Sequence, residues 1–406
     1  MYLRVSLQEA TSAAKACAKD GCTGIILDGP KSESTQFQNS LANLRSAHPK
    51  LKFLVLNGNG KQPDMRGSMV VKRDSILEVS SPTAQPWIDS NLAFIKTERR
   101  SQPAQVPLYT FSWDVSGDTQ QRTPTATDYS LAIAEAGAFH ADLLLQLDPH
   151  LQQAVSVHDP QALALWNQVR DVAKFYSNGK EKESELSAAA NVGLVVDDLD
   201  PDDEVSNLLA RHNIPFQVFL AADFHAANLE PFNVLIVFAK PDAAIAKQIA
   251  TLASSGKTVV MVDVHGTYPW QSSQPARLNE HAVSYAVGSG KILELSEPIT
   301  DPETFAQDIR RLLGNRDALL SLWNGLTTIA VPYKDHEGIL KTVEFVNYAA
   351  EPLRVQVQVK GSFTSVRYEN PEHGCCESLP PVKHDGFTEF VIPELRIGGR
   401  VHLGTP

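Results

Sequence analysis

At 406 residues the chain exceeds what one hydrophobic core usually serves, so two or three domains are expected. With 43% hydrophobic and 20% charged residues it has the balance of an ordinary soluble protein, and a net charge of −11 argues against nucleic acid or anionic membranes as partners. No apolar stretch approaches the ~20 residues that span a bilayer, MYLRVSLQEA lacks the regions of a signal peptide, and the 4 cysteines make no disulfide framework, so a reduced cytoplasmic protein is expected.

The first region, residues 1–185, carries six apolar runs: YLRVSL, GIILD, KFLVLN, SILEVS, VPLYTFSWD and ADLLLQLD. Helical patterns lie between several of them. TSAAKACAKDG places Ala13, Ala14, Cys17 and Ala18 at helical spacing and stops at Gly21, a fitting C-terminal cap. In that setting Cys17 and Cys22 read as small buried hydrophobes. FQNSLANLRSAHP sets Phe37, Leu41 and Leu44 on one face, and DYSLAIAEAGAFHA is a third helix, starting at Asp128. Strands apolar throughout and alternating with helices predict a parallel sheet covered on both faces. One or two further helices follow over 151–185, ending in the polar linker SNGKEKESELSAAAN.

Residues 186–325 repeat the α/β theme. NVGLVVDD, PFQVFL, FNVLIVFA and GKTVVMVDV read as strands, with helices from Pro201 to His212, through Ile245, Ile249 and Leu252, and over PETFAQDIRRLLG. This is the rhythm of a flavodoxin-like doubly wound sheet. VGSGK has the wrong length for a phosphate loop and reads as a hairpin turn. MVDVHGTYPW has no cysteine where an amidotransferase would carry its nucleophile, and His265 alone is no nucleophile system, so this region looks non-catalytic. Residues 326–406 show no helical pattern. Alternation such as VQVQVK predicts a small antiparallel β-sandwich. Cys375-Cys376 beside His373 lacks zinc spacing, so neither a metal nor any other cofactor is expected.

Chemistry is expected in the first region, where carboxylates or amides recur at strand ends: Asp28, Asn57, Glu78, Asp114 and Asp148. In a parallel barrel such ends converge on one mouth. Two carboxylates about 5 to 10 Å apart there can hydrolyse a glycoside, and Trp87, Tyr109, Phe111 and Trp113 can stack on the apolar faces of sugars. Each position also has a plain reading. Asp28 before Gly-Pro is a turn former, Asp148 before Pro149 a helix start, Asn57 in NGNG a turn signal, Asp114 a solvated loop residue, and Glu78 one half of an ion pair.

The order of parts, with IPFQVFLAADF, FNVLIVFA and LASSGKTVVM in the middle and VEFVNYA opening the sandwich, resembles glycoside hydrolases of the β-galactosidase type. GIILDG and FLVLNGNG look like central strands of barrel glycosidases. The resemblance implies a barrel portion, an amidotransferase-like trimerisation domain and a C-terminal β domain. For Asp28 it implies the nucleophile's place, on the pattern of a different subgroup, and Glu78 is the glutamate that matches. With the residues read above, the expected site has Asp28 as nucleophile or base, Glu78 or Asp114 as general acid, and Asn57, Trp87, Tyr109, Trp113 and Asp148 around the sugar. A carbohydrate ligand and a homo-oligomer, trimer or dimer, follow as expected partners. Two departures stand out. Six strands are fewer than the eight of a complete barrel, and Glu78 is a single clear glutamate where the β-galactosidase type uses two. The fold expected is therefore a multidomain α/β chain with a shortened or partial barrel. A non-catalytic carbohydrate-binding or assembly protein descended from such an enzyme is the alternative function.

Overall fold

The computed structural model describes residues 2–28, 34–56, 68–70, 90–101, 103, 106–112, 124–145, 147–178, 185–199, 204–349 and 351–405. The first region contains β1 (Tyr2–Ser6), α1 (Ala10–Asp20), β2 (Gly24–Asp28), α2 (Thr35–Ala47), β3 (Lys52–Leu56), β4 (Ser68–Val70), α3 (Leu92–Ser101), β5 (Leu108–Ser112), α4 (Ala126–Ala138) and β6 (Asp142–Leu145). Its six strands are parallel and run in the order β3-β2-β1-β6-β5-β4. The first strand thus lies between the second and the last, as in a barrel whose ends have met. Among the described residues β3 and β4 do not pair, so the sheet is a curled half-barrel open at that seam.

Local chemistry explains these elements. Gly21 takes φ +76°, and its N–H returns to the carbonyl of Cys17, closing α1 as the sequence predicts. Ser34 caps α2 by accepting from the N–H of Phe37. Thr125 and Asp128 form a reciprocal capping box, so α4 begins at Ala126, two residues ahead of the expected start. Ile25 and Leu27 pack outward on Ala10, Ala14 and Cys17 of α1 and on Phe37 and Leu41 of α2. Ile26 points the other way, to Tyr2 and Leu144 on the inner face.

After β6 come α5 (Pro149–Ser156), α6 (Pro160–Asn178) and the short β7 (Ser187–Ala188). The close approach of α6 to α4 requires Gly137, where a Cβ would sit 2.3 Å from the Tyr176 ring.

The second region holds β8 (Val192–Val196), α7 (Glu204–Arg211), β9 (Phe216–Leu220), β10 (Val234–Val237), α8 (Ala243–Ser254), β11 (Thr258–Met261), β12 (Ala276–Arg277), β13 (Ala282–Val287), β14 (Gly290–Leu295) and α9 (Pro302–Asp317). The sheet order is β12-β13-β14-β11-β10-β8-β9, with β9-β8-β10-β11-β14 parallel. The order reverses at β8 and β10, as in open doubly wound sheets. On one face Ile245 and Ile249 of α8 pack on Val195, Leu235 and Val259. On the other, Leu209 of α7 and Ile309 of α9 join Leu194 and Ile236. VGSGK is the β13–β14 turn, with Gly288 at φ +59°.

The last region is all strand: β15 (Leu320–Trp323), β16 (Thr328–Lys334), β17 (Leu340–Asn347), β18 (Leu353–Lys360), β19 (Ser365–Asn370), β20 (Gly374–Leu379), β21 (Val382–His384), β22 (Phe387–Leu395) and β23 (Gly398–Gly404). Two antiparallel sheets, β15-β18-β22-β21 and β20-β19-β23-β17-β16-β7, enclose Val355, Val357, Phe390, Phe345, Val366 and Val401. VQVQVK alternates as expected. The outer face of the larger sheet is also apolar: Ile329, Val331, Tyr333 and Val346 enter the same core as α4 and α6. β7 joins this sheet by pairing with Tyr333 and Lys334.

The expected strand over 75–80 lies outside the described residues. The short strands β4, β7, β15, β20 and β21, and helix α3, have no counterpart in the sequence reading.

Candidate functional site

A parallel sheet brings the carboxyl ends of its strands to one edge, where chemistry is placed in barrel folds. The register aligns Ser6, Asp28 and Leu56 in one row at that edge, and pairs Val70 with Ser112. The backbone of Asp28 therefore ends β2 beside the first strand of the half-barrel. The side chain of Asp28, and the whole of Asn57, Glu78, Trp87, Trp113 and Asp114, lie outside the described residues, and with them the expected carboxylate pair. Along β1 the buried Tyr2 gives way to exposed Arg4 and Ser6, so the face opens toward this edge. A carboxylate that the sequence reading missed stands here. Glu9 follows β1 and accepts from the N–H and Oγ of Ser6 at 3.1 and 2.7 Å through Oε2. Its signal was the one that singled out Asp28, an acid just beyond an apolar strand.

Tyr109 occupies the helix-facing side of β5, packed in the core with α3 and α4, while its neighbour Leu108 contributes to the inner face. Its hydroxyl donates to Glu135 Oε1 at 3.3 Å. Asp148 is the N-cap of α5, where Oδ1 accepts from His150 and Leu151 at 2.9 and 3.2 Å, and its own N–H donates to Tyr129 Oη at 2.8 Å.

Glu135, absent from the sequence reading, is fully buried on α4. Tyr348 of the sandwich and Tyr109 donate hydroxyls to it, and Asn91 donates both its backbone N–H and its side-chain amide, the latter at 2.8 Å. Burial raises the Glu135 carboxyl above its ordinary range, and these donors oppose the rise. Burial likewise pushes the Tyr109 and Tyr348 hydroxyls up, with the nearby Glu135 adding to it. The cluster ties α3, β5 and α4 to the sandwich. A lone glutamate in the apolar run LAIAEAGA was the signal that could have found it.

In the second sheet, a cavity of about 300 Å³ lies at the carboxyl ends of β8 and β10, lined by Asp197, Asp198, Ser206 and Phe238. This is the switch point where open α/β sheets bind ligands. Beyond β11, Asp263 holds φ +57° and its Oδ1 lies 2.8 Å from His265 Nε2. No cysteine follows β11 in MVDVHGTYPW. In the sandwich, Glu369, Cys376 and His402 bring potential ligand atoms within 4.8 Å of one another, but Cys376 is bonded to Cys375 in a vicinal disulfide and offers no thiolate. The sequence reading did not anticipate that bond. No helix among the described residues is long and apolar enough to cross a membrane.

Solved structures share this architecture. An α-L-fucosidase, isoenzyme 2 from Paenibacillus thiaminolyticus, superposes with a TM-score of 0.50 at 14% identity, over 98% of this chain and 80% of its own. A β-galactosidase from Bacillus circulans sp. alkalophilus gives a TM-score of 0.51 at 12% identity, over 94% and 63%. The fold is that of β-galactosidase-type glycoside hydrolases. A GH42 β-galactosidase from G. stearothermophilus gives 0.50 at 10% identity, over 90% and 66%, so the chain spans under two thirds of the length of these β-galactosidases. No family model and no curated protein matches the chain.

Proposed function

We propose that the chain is a carbohydrate-active protein that hydrolyses a glycosidic bond at the mouth of its half-barrel. The observation that carries this reading is the ring-like order of the first sheet, which sets the end of β2 beside β1 at a shared edge, in a fold shared with a solved α-L-fucosidase and a solved β-galactosidase. Asp28 serves as nucleophile or base, and Glu78 or Asp114 as the acid that protonates the leaving oxygen. As a nucleophile, Asp28 needs its carboxyl about 5 to 5.5 Å from that of the acid, and it displaces the protonated leaving group to form a glycosyl-enzyme that water then hydrolyses. As a base it needs about 6.5 to 9.5 Å between the two carboxyls, room for the water it activates. The acid needs a raised pKa. Trp87, Trp113 and Asn57 bind the sugar. In this reading residues 1–185, 186–325 and 326–406 are separate domains, the middle one flavodoxin-like and assembling the chain into a trimer or dimer.

That β3 and β4 do not pair among the described residues favours a second reading: a sugar-binding or assembly protein without catalysis. A panel of aryl glycosides separates the two. Turnover by the native chain that disappears in Asp28→Asn, with the far-UV dichroism unchanged, supports hydrolysis. Turnover that survives Asp28→Asn removes Asp28 from the mechanism. Saturable sugar binding with no turnover supports the second reading.

A further inference from the structure

We infer that a second saccharide site, remote from the half-barrel mouth, lies where the doubly wound region meets the sandwich, and that it takes an acidic sugar. Its centre is Trp323, at the end of the edge strand β15 and 44% exposed, beside Leu326, 60% exposed. Both line a cavity of about 370 Å³ whose other walls come from the turn after α7 and from the C-terminal half of α9. Trp323 and Leu326 together give the rim of this cavity an exposed apolar surface on which a ligand's apolar face can be buried.

The polar groups around Trp323 suit a sugar. Ser321, Asn315 and Asn324 line the same cavity, and their side chains, like the indole N–H, have no hydrogen-bond partner among the described residues. Two amides and a hydroxyl, each both donor and acceptor, match the vicinal hydroxyls of a pyranose, while the indole takes the apolar C–H face of the ring.

The charge of the cleft sets the class further. Arg211 and His212 both bind Glu303. Arg310 donates to the carbonyls of His212 and Asn213 at 2.6 and 3.4 Å and has no carboxylate partner among the described residues. Burial lowers the Arg310 pKa, as expected of a guanidinium short of counter-charge. Arg310 thus brings to the wall of the cavity a guanidinium held by backbone carbonyls alone, in a chain of net charge −11. A carboxylate-bearing pyranose, a uronic acid unit, satisfies indole, amides and arginine together. Nothing in this inference depends on Asp28 or on catalysis.

Calorimetric titration of the full chain with tetragalacturonate, neutral galactotetraose and AMP tests it. Tetragalacturonate is expected to bind saturably and more tightly than the other two, and to weaken as salt is raised. Trp323→Ala should weaken it about tenfold or more, and Trp323→Phe should restore most of the affinity. Asp28→Asn should leave it unchanged, so that a failure at the mouth and a failure here are told apart. The site is overturned if the galacturonide does not bind, if galactotetraose or AMP binds as well, or if Trp323→Ala binds like the native chain. Loss of self-association in Trp323→Ala without any sugar binding would reassign the patch to a contact between copies, and would also overturn it.

Discussion

The chain contains two sheets, one parallel and one parallel but for β12 and β13, that look alike in sequence and differ in what they can do. Both are apolar strands alternating with helices, but the first packs its helices on the outer face and the second on both faces. In the first, β1 pairs with β2 and with the last strand, β6, so the sheet curls and its strand ends gather around one edge. In the second, β8 pairs with β9 and β10, the order reverses there, and a cavity opens at the reversal. The inner face of the half-barrel has a small cluster, Tyr2, Ile26 and Leu144, whereas the second sheet is packed on both faces by larger ones. Which strand the first one pairs with therefore decides between a shared mouth and a crevice.

The largest expected effect tests that assignment of chemistry. Asp28→Asn should lower kcat on a cleaved glycoside by about 10³-fold or more. The same change at the other strand end, Asp197→Asn, should leave kcat within about twofold, because a crevice at a switch point takes no part in hydrolysis at the mouth. Equal losses would mean that the two sheets form one site.

Packing gives the next contrast. Ile236 and Ile26 are both fully buried, but Ile236 lies in the large cluster that joins all three regions. Ile236→Ala should cost toward 5 kcal/mol and Ile26→Ala about 2 kcal/mol in urea unfolding, within the range for such truncations. Equal costs would show that the inner face is packed as fully as the doubly wound sheet.

Glu135 adds a pH dependence. Its folded pKa is raised, so between the unfolded and folded values the native state holds more protons than the unfolded chain. Stability should therefore fall as pH rises from the ordinary carboxylate range through the raised value. Glu135→Gln removes that slope. Glu135→Ala, which strands the amide of Asn91 and the hydroxyls of Tyr109 and Tyr348, should cost about 3 kcal/mol. A pH profile identical in the native chain and the Gln variant would rule out the linkage.

Much of this fold is legible in the sequence, because propensity and packing agree there. Gly21 stops α1, Phe37, Leu41 and Leu44 fix the buried face of α2, and VQVQVK alternates in the sandwich. Helix α3 is hidden because NLAFIKTERRS buries the consecutive residues Leu92 to Ile95 rather than a spaced stripe. β15 is hidden because four residues, LSLW, are too few to show a period. Glu135 and Tyr109 belong to a cluster assembled from α3, β5, α4 and the strand end at Tyr348, a convergence that spacing along one segment does not encode.

The smallest effect separates a cap from a ligand. Asp148 opens α5 and Asp242 opens α8, each accepting from two backbone N–H groups through Oδ1. As caps alone, both should lose about 1 kcal/mol on substitution by alanine, equally in either sheet. If Asp148 also holds the sugar, Asp148→Ala raises KM while Asp242→Ala does not, because β6 belongs to the half-barrel and β10 to the other sheet. Matched stability losses with KM unchanged in both variants would leave Asp148 as a helix start, and would confine sugar contacts at the mouth to the other strand ends.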